Sequence, residues 1–157
     1  MKFRFAQTYR TLHRVVIHCL CLLLLGVLLL PAQAQAAELS PAPDDARAYL
    51  IAPADGAEVS SPVAIKFGLS HMGVAPAGVD RPNTGHHHLL VDLETLPSLT
   101  EPLPSTEHIR HFGGGQTETE LALAPGEHTL QLLLANYTHI PHDHPVLSEP
   151  VTITVVD

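Results

Sequence analysis

Residues 63–70 read Val-Ala-Ile-Lys-Phe-Gly-Leu-Ser, with Val63, Ile65, Phe67 and Leu69 set between small or polar neighbours. Successive side chains leave a strand on opposite sides, so this period of two predicts a strand with one face buried. The same signature recurs on either side of it. Residues 117–124 put Leu121 and Leu123 inside and Glu118 and Glu120 outside. In 128–135 the inward face is Leu130, Leu132 and Leu134, and in 149–156 it is Val151, Ile153 and Val155. Residues 87–93 give His87, Leu89, Val91 and Leu93 one face and turn His86 and His88 to the other. Ala48–Ala52 supplies a first strand, ended by the turn Pro53-Ala54-Asp55-Gly56, where Pro presets φ and Gly accepts positive φ. The Pro- and Gly-interrupted stretch 94–116 leaves room for a short edge strand near 99–103. Six to seven strands between such turns, with no helical periodicity, predict an all-β domain: a small immunoglobulin-like Greek-key β-sandwich. Pattern alone carries this, because neither the Trp nor the inter-sheet disulfide typical of that class is present.

The N-terminal segment has a different character. Lys2, Arg4, Arg10 and Arg14 are the only charges before position 38, and an apolar run follows from Val15 to Leu30, broken only by His18. Pro31-Ala32-Gln33-Ala34-Gln35-Ala36 then offers small residues where a signal peptidase reads them. The run is shorter than the ~20 residues that span a bilayer comfortably. Residues 1–36 are therefore expected to be a signal peptide, cleaved after Ala36 or Ala34. Residues 37–47 (AELSPAPDDAR) are expected to form a tether and 48–157 a single domain, periplasmic or secreted.

Cleavage removes several chemistries. Both cysteines, Cys19 and Cys21, precede Ala36, so the mature chain has no disulfide, no thiolate nucleophile and no blue-copper ligand set. All 16 acidic residues remain, against only Arg47, Lys66, Arg81 and Arg110. That field repels nucleic acid and anionic lipid and attracts cations. Neither nucleic acid nor, once the signal is gone, a membrane is an expected partner.

Ten of the twelve histidines lie beyond Ala36. In the predicted sandwich His71 closes one strand, His86, His87 and His88 open the next, His108 and His111 precede a third, and His139, His142 and His144 lie in the last loop. Nine imidazoles are thus expected at one pole, with His128 at the other. Neutral imidazole is the commonest side-chain ligand for Zn and Cu(II). His86 and His88 share a face roughly 6.6–7 Å apart on an extended strand. The pairs His108-x-x-His111 and His139-x-x-His142-x-His144, on flexible segments, can supply further ligands. Asp143 and Glu107 offer carboxylates and Met72, beside His71, a thioether suited to Cu(I). A single histidine on a β-domain is more often a hydrogen-bonded structural residue, and His87 and His128 are expected to be of that kind. Since imidazole must be deprotonated to bind, metal affinity is expected to fall as pH drops through ~6.5.

Three functions are consistent with this. The first is a module holding a copper or zinc ion. The second is a non-enzymatic interaction or structural module of the envelope, with an envelope protein as partner and the histidines bonded within the loops. The third is a metalloenzyme of the copper-zinc superoxide dismutase kind, disfavoured by the missing disulfide and by histidine spacings that do not reproduce that family's run. No serine elbow and no H-E-x-x-H motif is present.

The blocks SPVAIKFGLSHMGVAPAGVDRPNTGHHHLLVDL, HFGGGQTETELAL, PGEHTLQLLLANYTHIPHDHPV and VTITV resemble an exported bacterial family catalogued as domain of unknown function 4399. The likeness covers nearly the whole predicted mature chain and implies membership, with no activity to carry over. At His144 the chain departs from the family pattern, which implies a proline there, so His144 is the weakest ligand candidate of its group. A fainter resemblance, through the Pro53-Ala54-Asp55-Gly56 turn, is to periplasmic copper-resistance chaperones. Those proteins use a histidine at the mature N-terminus, where this chain offers Ala37 or Gln35, so the likeness implies copper without placing a ligand.

Overall fold

The computed structural model describes residues 39–157. Among these there are nine strands and no helix: β1 (Arg47–Ala52), β2 (Ala57–Ser60), β3 (Val63–Ser70), β4 (Gly73–Val74), β5 (Thr84–Val91), β6 (Ile109–His111), β7 (Glu118–Leu121), β8 (Gly126–Ala135) and β9 (Val151–Val156). Residues 1–36, expected to be a signal peptide, lie outside the described residues.

Two sheets share the strands. One runs β1-β3-β7 and is antiparallel; the other runs β2-β9-β8-β5-β4, with β6 added along β5. The predicted alternation decides which side chains meet between them. Val63, Ile65 and Phe67 of β3 face Leu89 and Val91 of β5, Leu130, Leu132 and Leu134 of β8, and Ile153 and Val155 of β9 in one buried core. Leu69, Leu121, Leu123 and Val151 pack against its margin. The all-β, two-sheet expectation holds.

The strand inventory differs from the expectation in three places. β2 and β4 are additional; both pair in parallel, β2 with β9 and β4 with the start of β5. Two and four residues are too few to show a period. The edge strand forms at 109–111 rather than near 99–103, where Pro102 and Pro104 remove ladder donors on either side of Leu103. Leu93 leaves the inner face: Asp92 takes a positive φ of 51°, which breaks the alternation, and Leu93 joins Leu90, Leu103, Ile109, Leu133 and Ala135 on the outer face of the larger sheet. That second cluster explains why β8 ends in an unbroken Leu132-Leu133-Leu134-Ala135, since a strand covered on both faces reads as continuously apolar.

The segment read as a tether is packed over much of its described length. Ala42 and Ala46 enter the main core. The Ala42 amide donates to Asp143 Oδ1 at 3.0 Å, and Asn136 Nδ2 donates to Ser40 Oγ at 2.9 Å. Two small apolar residues in a polar, Pro-containing stretch are a weak burial signal, which is why composition alone read it as linker.

Candidate metal centre

Strand β5 carries His86, His87 and His88 in succession, all at most 1% exposed. The pleat sends His87 inward, its ring tilted against Phe67 at 5.2 Å between centroids. It sends His86 and His88 to the outer face, with ring centroids 4.9 Å apart. Two further imidazoles reach that face. β6 pairs antiparallel with β5 and sets His111 opposite His88. The loop after β8 brings in His139. The rings then stand 5.0 Å (His86 to His111), 5.0 Å (His86 to His139), 4.7 Å (His111 to His139), 5.1 Å (His88 to His111) and 6.1 Å (His88 to His139) apart. One ring nitrogen from each of His86, His111 and His139 lies within 4.8 Å of the other two.

These spacings suit an ion. Imidazole nitrogens ~2.0–2.1 Å from a tetrahedral Zn stand roughly 3.4 Å apart, which places their ring centroids about 5 Å apart. His88 lies just outside the three-nitrogen group, its ring stacked on His111 at 29°. Small side-chain rotations separate this arrangement from a ligand set, and no carboxylate or sulfur belongs to the group.

Hydrogen bonding sets apart two of these four, His86 and His88, together with His87 and the Nδ1 of His142. Neither nitrogen of His86, His87 or His88 has a partner among the described groups, although all six atoms are buried. A buried polar atom left unpaired costs about 1–3 kcal/mol. Burial also favours the neutral ring in His86 and His88. Desolvation, reinforced by His139 and His111, pushes His86 down to about 4, and desolvation with His86 and His111 alongside pushes His88 down to about 3. Burial lowers His111 as well, with His139 adding to it. Deprotonated imidazole is the form that binds metal, so the lowered values of His86 and His88 favour their ligating form.

The His139 loop is tightly built. The Asn136 side-chain oxygen accepts from Thr138 N, Thr138 Oγ1 and Ile140 N at 2.9, 2.8 and 3.0 Å, and the Asn136 and His139 amides close the turn on Ile140 O and Asn136 O. His139 sits at φ 70°. A left-handed non-glycine residue costs about 1–3 kcal/mol and persists where its surroundings over-determine it. Asn136 does that; the sequence reading passed over it, although an Asn at the head of the stretch Asn-Tyr-Thr-His is the turn signal that points to it.

The remaining candidates do not join the cluster, and nine histidines do not share a pole. His108 lies in the bend before β6, its amide on Thr106 Oγ1 at 3.2 Å, while His111 ends that strand. His108 Nδ1 bonds Val91 O at 2.9 Å, at the far end of β5, with Glu107 3.7 Å from its other nitrogen. His142 is buried, its Nε2 donating to Thr84 O at 3.3 Å, and desolvation lowers its pKa. His144 is exposed beside Asp143, whose Oδ1 accepts from the Ala42 and His144 amides; the Ala42 bond is the leading reason that carboxyl is held below its usual range. His71 is exposed and pairs with Asp45 at 3.1 Å, while Met72 packs on the core. His128 is structural as expected, with Nδ1 on Asp92 Oδ2 at 2.7 Å and Nε2 on Ala124 O at 2.9 Å. His87 is structural in position but has no hydrogen bond.

No curated protein and no solved structure matches the chain. The likeness to copper-resistance chaperones therefore gains nothing from the comparisons. The family described as "Domain of unknown function (DUF4399)" matches residues 65–156, a span that contains β5, β6, β8 and all four clustered histidines. The chain belongs to that family.

Proposed function

We propose that this protein binds one transition-metal ion, zinc or copper, through His86, His111 and His139, with His88 turning in as a fourth imidazole. The observation that carries the reading is the coincidence of geometry and deficit: four rings at ion-compatible spacing, two of them with every nitrogen buried and unpartnered. An ion would take one nitrogen of each of these two otherwise orphaned side chains. An all-imidazole donor set selects borderline metals over Ca and Mg, which prefer oxygen ligands. His111 is exposed and His139 half-buried, so the ion would enter from that side. The acidic surface would favour cation approach.

The positive N-terminal residues, the apolar run Val15 to Leu30 and the small residues at 32–36 support a periplasmic or secreted protein, after removal of residues 1–36. His71, His108, His142, His144 and Asp143 are left out of the ligand set.

The test is calorimetric titration with Zn(II) and Cu(II), and elemental analysis, of the chain expressed with its own N-terminal segment and purified without a polyhistidine tag. One equivalent per chain is expected, lost in the His86→Ala/His139→Ala variant and kept in His144→Ala. Absence of binding in the wild type, or equal binding by the double variant, sinks the reading.

A further inference from the structure

We infer that Gly113 is a positioning residue for this site: the space left by its missing side chain is where the His111 imidazole lies when it faces His86 and His139. The inference rests on the metal-binding reading above. An ideal Cβ built on Gly113 falls 2.3 Å from His111 Cε1 and 2.4 Å from Nε2, closer than real Cβ contacts come, with Ala77 Cβ a further 3.3 Å neighbour. The glycine is needed for space and not for conformation. Gly115, two residues on, has a φ of 81°, whereas Gly113 does not occupy the left-handed region.

Neither backbone can yield easily. His111 is fixed in β6 by its pairing with His88. The next residue, Phe112, donates its amide to His87 O at 3.0 Å and sets its ring edge-on to Phe67 at 4.8 Å. Gly113 O accepts from the Ala77 amide at 2.8 Å. With both main chains held, a methyl group at 113 moves the imidazole, and the end that moves carries Nε2. Metal–ligand distances tolerate only ~0.2 Å. A swing of roughly 1 Å, needed to restore ordinary van der Waals contact, takes His111 out of the ligand set.

Gly114 provides the control. A Cβ there meets only the flexible amide end of Gln116, at 3.1–3.2 Å. Titration of Co(II) and Zn(II) into wild type, Gly113→Ala and Gly114→Ala is therefore expected to show affinity reduced about 10- to 100-fold in Gly113→Ala alone. The Co(II) visible spectrum should alter in the same variant. A Gly113→Ala protein with wild-type affinity and spectrum overturns the role of Gly113 and leaves the metal site standing, whereas a wild type that binds nothing overturns the site itself. A second measurement needs no metal and covers a variant that folds poorly. In a double-mutant cycle on the apo protein, His111→Ala should restore the unfolding midpoint that Gly113→Ala lowers, because the clashing ring is gone. Strictly additive midpoint shifts, or no shift in Gly113→Ala, overturn the inference.

Discussion

At the C-terminal end of β5, Asp92 organises a histidine fully: His128 donates one nitrogen to its carboxylate and the other to the Ala124 carbonyl, and the second carboxylate oxygen takes the Thr129 amide at 2.8 Å. At the N-terminal end of the same strand, His86 and His88 are buried with nothing to bond, and the rings nearest to them are two more imidazoles. Both partners are acceptors, so bonding both at once takes the protonated ring, and the His128 pKa is raised above the ordinary value, first by the hydrogen bond to Asp92. Burial favours the neutral ring in His86 and His88. One end of the strand uses histidine as a structural ion pair; the other assembles lone pairs without a proton or a carboxylate to meet them. The contrast separates a histidine that serves the fold from one that depends on something the fold does not supply.

The sharpest way to break that contrast is thermal unfolding with and without zinc. Binding to the native state alone at a thousand-fold excess over the dissociation constant stabilises by about 4 kcal/mol. For a domain of this size that raises the midpoint by on the order of 10 °C. The rise should vanish in His86→Ala/His139→Ala and survive intact in His128→Ala, which starts lower. A zinc response lost with His128, or retained without the cluster, would show that the two ends are not distinct.

Removing the ion pair tests the structural end. Asp92 has a φ of 51°, which asparagine also tolerates, so Asp92→Asn keeps an acceptor for Thr129 and removes the charge. Because Asp92 is partly exposed, solvent screening limits the expected loss to about 1 kcal/mol in denaturant unfolding near pH 6. Zinc affinity should not change.

His87 belongs to neither end: it faces the core beside Phe67 with no partner on either nitrogen. Replacing an unpaired polar group by an apolar one of similar shape is neutral or stabilising. His87→Leu should therefore hold or raise stability, by up to about 1 kcal/mol, where the same change at His128 lowers it. A clear loss at 87 would mean that its ring has a partner, and the cluster's isolation would need to be reconsidered with it.

These distinctions were only partly legible in the chain. The alternation at Val63–Phe67 and Leu130–Leu134 announced the two buried faces, because an unbroken period of two needs no tertiary information. The opposite directions of His86 and His87 followed from the same period. The fate of His108 and His111 did not, since it turns on whether 109–111 is loop or strand, and three residues are too few to show a pattern. That choice is made by Ile109 entering the outer cluster with Leu90 and Leu133, a contact between distant parts of the chain. His139 was found as one of three histidines in a loop. Its separation from His142 and His144 depends on the Asn136 side chain, which closes the turn before either can approach.

The smallest effect is in pH, where the two ends differ in sign. His128 has its pKa raised in the folded state, so its contribution is complete below the unfolded value near 6.5 and is lost as pH rises through the folded value. His86 and His88 have theirs lowered to about 4 and about 3, so the folded state is favoured above 6.5 and loses ground as pH falls toward those values. Stability of the metal-free protein, measured by denaturant titration from pH 4 to 9, should decline on the alkaline side by less than about 1 kcal/mol, since the pair is screened. His128→Gln should flatten that decline and leave the acid limb untouched. An alkaline decline that persists in His128→Gln would assign it to another group and remove His128 as the structural counterpart of the cluster.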